Sequence, residues 1–135
     1  DDNCWETITR IEKMFALLRT ADIVSLHVPL DESTRHLIDN EAIDQMRKGA
    51  ILVNASRGGV LDENALVAAM KSGRIRGAAL DVYETEPLTD SSAAKFADLP
   101  NLVLTPHIAG VTIESNQRVS QVTMENVRRV LEASK

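Results

Sequence analysis

The chain has 135 residues, 44% hydrophobic and 26% charged, the proportions of one globular domain with enough apolar material for a core. Twenty acidic against fifteen basic residues leave a formal net charge of −5; with no basic block and 3% aromatic residues, nucleic acid is not an expected partner. No apolar run approaches the roughly 18 to 20 residues that span a bilayer, and the opening Asp1-Asp2-Asn3-Cys4 is unlike a targeting signal, so a cytoplasmic protein with no membrane partner is expected.

The single cysteine, Cys4, cannot form an internal disulfide, and His27, His36 and His107 lie far apart without ligand spacing, so no metal site is expected. In chain order, Ile8, Ile11, Met14, Phe15 and Leu18 carry helical spacing, which predicts a first helix over residues 7–18. An apolar run at 22–28 follows as a first strand, then a short helix at 40–46 and a second strand at 50–54. Residues 62–70 read as a helix with Asp62 as N-cap and Gly73 as the stop signal. A third strand is expected at 77–82. The soft stretch 87–101 reads as a surface loop with one helical turn at 92–96. A fourth strand at 102–105 precedes a long helix at 112–133, in which Ile113, Val119, Val122, Val127, Val130 and Leu131 keep a broken apolar stripe.

The strand runs carry their polar atoms at their C-terminal ends and do not alternate, the pattern of strands buried on both faces of a parallel sheet. Strands alternating with helices imply an α/β fold with right-handed crossovers and a doubly wound sheet. In such sheets the ligand lies outside the carboxyl ends of the strands. Four tails then gather at one rim: His27-Val28-Pro29-Leu30, Asn54-Ala55-Ser56-Arg57-Gly58-Gly59, Asp81-Val82-Tyr83-Glu84-Thr85-Glu86-Pro87 and Thr105-Pro106-His107-Ile108-Ala109-Gly110.

Each residue has a bland reading by itself. A histidine after a strand commonly caps backbone, Arg57 could be a surface ion-pair residue, Glu84 and Glu86 could be two solvated carboxylates, and His27 could bond only to neighbouring backbone. Together they make a coherent set. Arg57 offers a planar fork for a carboxylate, His107 can exchange a proton near neutral pH, and Glu86 could hold one ring nitrogen of His107, fixing its tautomer and favouring the imidazolium. Asp81, at the end of an apolar strand, is costly to bury unless hydrogen-bonded. These groups would bind a small 2-hydroxy or 2-keto acid and move its hydroxyl proton. Nothing in the chain accepts a hydride, so a bound cofactor is required.

The four tails closely resemble those of the D-isomer-specific 2-hydroxyacid dehydrogenases, in a form similar to D-3-phosphoglycerate dehydrogenase, from about Leu17 to the last helix. The resemblance implies that Arg57 holds the substrate carboxylate, His107 is the acid/base and Glu86 its carboxylate partner. It places Asp81 near the nicotinamide carboxamide, and Val28, Ala55, Ser56 and the run His107, Ile108, Ala109 and Gly110 along the NAD site. Glu86 separates the chain from the similar formate dehydrogenases, which carry glutamine there. Many members have glycine where this chain has Ala109.

One family feature is missing. The G-x-G-x-x-G turn that seats the pyrophosphate has no counterpart among the six glycines of this chain. The expected fold is therefore a partial doubly wound parallel sheet, the second half of a Rossmann-type NAD-binding domain. Residues 1–135 would form a truncated domain without the glycine turn or the substrate domain. The residue that separates NAD from NADP would lie outside the chain. The expected function is the nicotinamide-side half of an NAD-dependent 2-hydroxyacid dehydrogenase, inactive alone. The edge at 23–28 would be open and apolar on both faces, which favours self-association into a homo-oligomer. A second reading from another class is an NAD-sensing, corepressor-like interaction module without turnover.

Overall fold

A computed structural model of the chain describes residues 8–133. Cys4, and Thr7 at the start of the expected first helix, lie outside the described residues. The elements in order are α1 (Met14–Thr20), β1 (Ile23–Leu26), α2 (Asn40–Gln45), β2 (Ala50–Asn54), α3 (Glu63–Lys71), β3 (Ile75–Leu80), α4 (Asp90–Ala93), β4 (Leu102–Leu104) and α5 (Ile113–Ala133). Short 3-10 turns occupy Gly58–Val60 and Ala94–Phe96. The four strands form one sheet in the order β1-β2-β3-β4, and every neighbouring pair is parallel.

The helices that connect the strands start where the sequence supplies caps. Asp39 accepts the Ala42 N–H at the head of α2, at 2.9 Å, and Asp62 accepts those of Asn64 and Ala65 at 2.9 and 3.0 Å at the head of α3. Gly73 ends α3 at a φ of +71°, a backbone that side chains rarely adopt. The first helix is shorter than its periodicity predicts. Ile8 and Ile11 are 55% and 37% exposed, so the upstream part of that stripe has no core to pack on, and Lys13 provides no side-chain cap. The third strand begins earlier than expected because Ile75 pairs with Ala50, and it ends before Asp81, which turns into the rim.

Burial on both faces of the sheet is not what forms. Sequential strand order with right-handed crossovers puts the connecting helices on one side, and α2 packs against both α1 and α3. Under that layer lie Val24 and Leu26, Leu52 and Asn54, and Ala78 and Leu80, all buried. The opposite face carries Ile23, Ser25, Ile51, Val53, Ala79 and Val103; Ile23 is 61% and Val103 58% exposed. The stripe of α5 is exposed along its length, and no residue of that helix is buried. Among the described residues no helix is long and apolar enough to cross a membrane, and no group of three His, Cys, Asp or Glu is placed to hold a metal ion.

Candidate active site

Parallel pairing sends all four strand tails to one rim. Two buried polar side chains at or just after strand ends, Asn54 and Asp81, shape the tails that follow β2 and β4. At the end of β2, the buried Asn54 accepts the Ser56 N–H at 3.1 Å and the Ser56 hydroxyl at 2.9 Å, while its amide nitrogen donates to the Arg57 carbonyl at 2.9 Å. These bonds close a tight turn that puts Arg57 on the rim, exposed, with its guanidinium donating to the Ser56 carbonyl at 2.7 Å. The next residue, Gly58, lies so close to the β3 tail that a Cβ would come within 1.9 Å of the Tyr83 carbonyl. Only glycine permits that approach.

After β3, Asp81 is 5% exposed and organises the loop that follows β4. Its Oδ1 accepts the Thr105 hydroxyl at 2.5 Å and the Ile108 N–H at 2.9 Å, and its Oδ2 accepts the Ala109 N–H at 2.9 Å. Burial pushes the Asp81 carboxyl up. The bonds from Thr105, Ala109 and Ile108, with the nearby His107, outweigh it and hold the pKa below the ordinary aspartate value. Position 109 contributes its backbone N–H, which alanine supplies as glycine would. His107 takes up a φ of +54°, so the loop turns sharply at the imidazole.

His107 Nδ1 lies 2.8 Å from Glu86 Oε2. The other oxygen of Glu86 accepts the Tyr83 N–H at 2.9 Å. That backbone bond, the bond to His107 and the charges of His107 and Arg57 hold the Glu86 carboxyl below its usual range. Tyr83 joins the same unit, its hydroxyl donating to the carbonyls of Thr105 at 2.7 Å and Leu80 at 3.2 Å.

Three adjoining clefts follow the rim. One, of 590 Å³, is lined by Tyr83, Glu86, Leu88, Thr105 and His107 among others. A second, of 540 Å³, runs between Arg57, Arg35, His36 and Glu86. A third, of 630 Å³, is bounded by His27, Val28, Ala55, Ser56 and Arg57 at the ends of β1 and β2. Arg57 belongs to the last two and Glu86 to the first two, so the clefts are continuous through these side chains.

The structure thus brings Glu86 and His107 into direct contact, sets Arg57 with Glu86 on the adjoining cleft, and puts Asp81 beneath the His107 loop. Val28, Ala55 and Ser56 line the neighbouring cleft. Ile108 and Ala109 take part through their backbone N–H groups, and Gly110 through its carbonyl, which accepts the Ser115 hydroxyl at 2.7 Å. His27 lies 2.8 Å from Ser25 Oγ, its local partner. Sequence reasoning passed over Tyr83, Thr105 and His36. Tyr83 holds Glu86 through its backbone N–H, which leaves no side-chain signal, and its hydroxyl finds Thr105 only through the fold. His36 lines a cleft, has a left-handed backbone with a φ of +49°, and its Nε2 lies 3.1 Å from Glu84.

Residues 2–109 match the family model described as D-isomer specific 2-hydroxyacid dehydrogenase, NAD binding domain. The chain belongs to this family. A curated relative, the (S)-sulfolactate dehydrogenase of Chromohalobacter salexigens, is 53% identical over 131 residues, which are 97% of this chain and 42% of that protein. A D-lactate dehydrogenase from Sporolactobacillus superposes with a TM-score of 0.87 at 34% identity, over 100% of this chain and 44% of that one. A D-isomer specific 2-hydroxyacid dehydrogenase from Xanthobacter autotrophicus, solved with NADPH and MES, gives 0.78 at 37% identity over 89% of this chain and 48% of that one. The chain therefore spans less than half the length of each of these members of the 2-hydroxyacid dehydrogenase family.

Proposed function

We propose that this chain is the nicotinamide-side half of an NAD-dependent dehydrogenase that interconverts a 2-hydroxy acid and its 2-keto acid, NADP remaining open as cofactor. The carrying observation is the 2.8 Å pairing of His107 Nδ1 with Glu86 beside a cleft that also holds Arg57. Arg57 binds the substrate carboxylate through two parallel hydrogen bonds and so orients the hydroxyl-bearing carbon. With Nδ1 committed to Glu86, Nε2 of His107 is the nitrogen that takes the hydroxyl proton in oxidation and returns it in reduction. The Glu86 carboxylate stabilises the imidazolium that forms.

The rim fits a nicotinamide. Val28 and Ala55 give apolar walls beside Ser56, and after β4 the Ile108 and Ala109 N–H groups are held by Asp81, with Gly110 following. Asp81 Oδ2 accepts one bond and keeps a lone pair for an amide donor. When bound, the cofactor supplies the hydride acceptor. The relative at 53% identity is named for sulfolactate, a 2-hydroxy acid, which supports this substrate class. The absence of a glycine turn among the chain's glycines supports weak NAD binding and no turnover by the 135 residues alone. The position of β1 at one edge of the described sheet supports a homo-oligomer.

The test is oxidation of 2-hydroxy acids, sulfolactate included, by the whole gene product carrying this chain, followed through the absorbance of reduced nicotinamide. NAD-linked turnover that disappears in His107→Asn supports the reading. NAD binding without turnover of any 2-hydroxy acid overturns it in favour of a sensing module. Submillimolar NAD affinity of the 135-residue chain by calorimetry overturns the weak-binding part, and a folded, strictly monomeric species in the ultracentrifuge overturns the oligomer.

A further inference from the structure

The head of α3 carries a charged cluster that the proposed chemistry does not use. Glu63, in the first turn of α3, is 2% exposed. Its Oε1 accepts the Glu84 backbone N–H at 2.8 Å, and its own N–H donates to Glu84 Oε1 at 3.2 Å. Its Oε2 pairs with Lys95 Nζ at 2.5 Å. Glu84 Oε1 also meets His36 Nε2 at 3.1 Å. A buried ion pair loses in desolvation much of what it gains in attraction, so stability alone does not account for a carboxylate at this depth. The geometry accounts for it. The Tyr83–Glu84 peptide that Glu63 grips through the Glu84 N–H follows directly on the Tyr83 N–H that holds Glu86, and its carbonyl is the group against which Gly58, next to Arg57, is seated.

We propose that Glu63 is a positioning residue for the dehydrogenase site: it fixes the Tyr83–Glu84 peptide, and through it the placement of Glu86 against His107 and of Arg57 beside them. This rests on the functional reading above. Lys95 orients Glu63 from the 3-10 turn Ala94–Phe96. The charged groups around Glu86 are His107 and Arg57 with Arg35, His36 and Glu84 on the cleft they share, and those around Tyr83 are Asp81, Glu63 and Glu86.

The experiment is steady-state oxidation of a 2-hydroxy acid by the whole gene product, with pH profiles, for Glu63→Leu, Glu63→Gln and Glu86→Gln. Glu63→Leu lowers kcat about tenfold or more, as misplaced catalytic groups do. It also moves the low-pH limb of kcat/KM to lower pH, the direction that loss of the Glu86 carboxylate from the imidazolium dictates. Glu63→Gln keeps an amide oxygen for the Glu84 N–H and restores most of kcat. If Glu63→Leu does not fold, Lys95→Met gives the same direction with a smaller loss. Variants that lower only the melting temperature, with kcat per folded molecule and the pH limb unchanged, overturn the inference alone. If Glu86→Gln is equally silent, the functional reading falls with it.

Discussion

Both oxygens of Glu86 are committed, one to His107 Nδ1 at 2.8 Å and the other to the Tyr83 N–H at 2.9 Å, so the backbone aims the carboxylate at the imidazole. A side chain on an exposed loop would otherwise sample many rotamers. The second bond removes that freedom before any substrate arrives.

His107→Asn separates the chemistry of the imidazole from the shape of its loop. Asparagine tolerates the φ of +54° found at this position. Turnover falls about 10²- to 10⁴-fold, the usual contribution of a positioned acid/base, while the melting temperature barely moves. His107→Val, β-branched at a left-handed position, loses both turnover and stability, and differential scanning calorimetry distinguishes the two variants.

Arg57→Lys replaces a planar fork with a point charge. Losing one charged hydrogen bond of about 1.5–3 kcal/mol raises KM for the 2-hydroxy acid about 10- to 100-fold. The affinity for NAD changes far less. Initial-rate kinetics with each substrate varied in turn check this split.

Gly58→Ala puts a methyl group into the Tyr83 carbonyl and within 2.5 Å of the Glu84 nitrogen. Backbone atoms cannot step aside as a flexible side chain can. The variant is destabilised by about 1–3 kcal/mol, the usual cost of overpacking, and loses turnover because Arg57 and Glu86 are both displaced. Urea unfolding and activity are the two measurements.

The acid limb of stability follows from Asp81 and Glu86. Both carboxyls titrate below their ordinary values in the folded chain. Their contribution is complete above the unfolded carboxylate range, about pH 4, and is lost as the pH falls through the lower folded values. Asp81→Asn must turn an amide N–H or its single oxygen toward three donors. It therefore costs about 1–3 kcal/mol at neutral pH, for an unsatisfied buried group, and flattens the acid limb. Denaturant unfolding at stepped pH values reads both effects.

The rim was legible because apolar strands ended in ionisable residues, and a carboxylate, a guanidinium and an imidazole at consecutive strand ends are hard to explain by packing. Asp62 and Gly73 marked α3 for the same local reason, a cap and a left-handed stop. Other features left no local signal. Ile23 and Val103 have the texture of two-sided burial yet lie on the uncovered face, because sheet coverage depends on where the connecting helices fall. Glu63 reads as an ordinary acidic residue at a helix start. Its burial depends on Glu84 and Lys95, brought to it only by the fold.

Chain order and spatial order coincide in this sheet. Among the described strands, each can add to the one made just before it, which suits assembly during synthesis. His107, the proposed proton-transfer group, comes from the loop beyond β4. A nascent chain would thus place Arg57 and Glu86 first, and the His107 imidazole would join a rim already built.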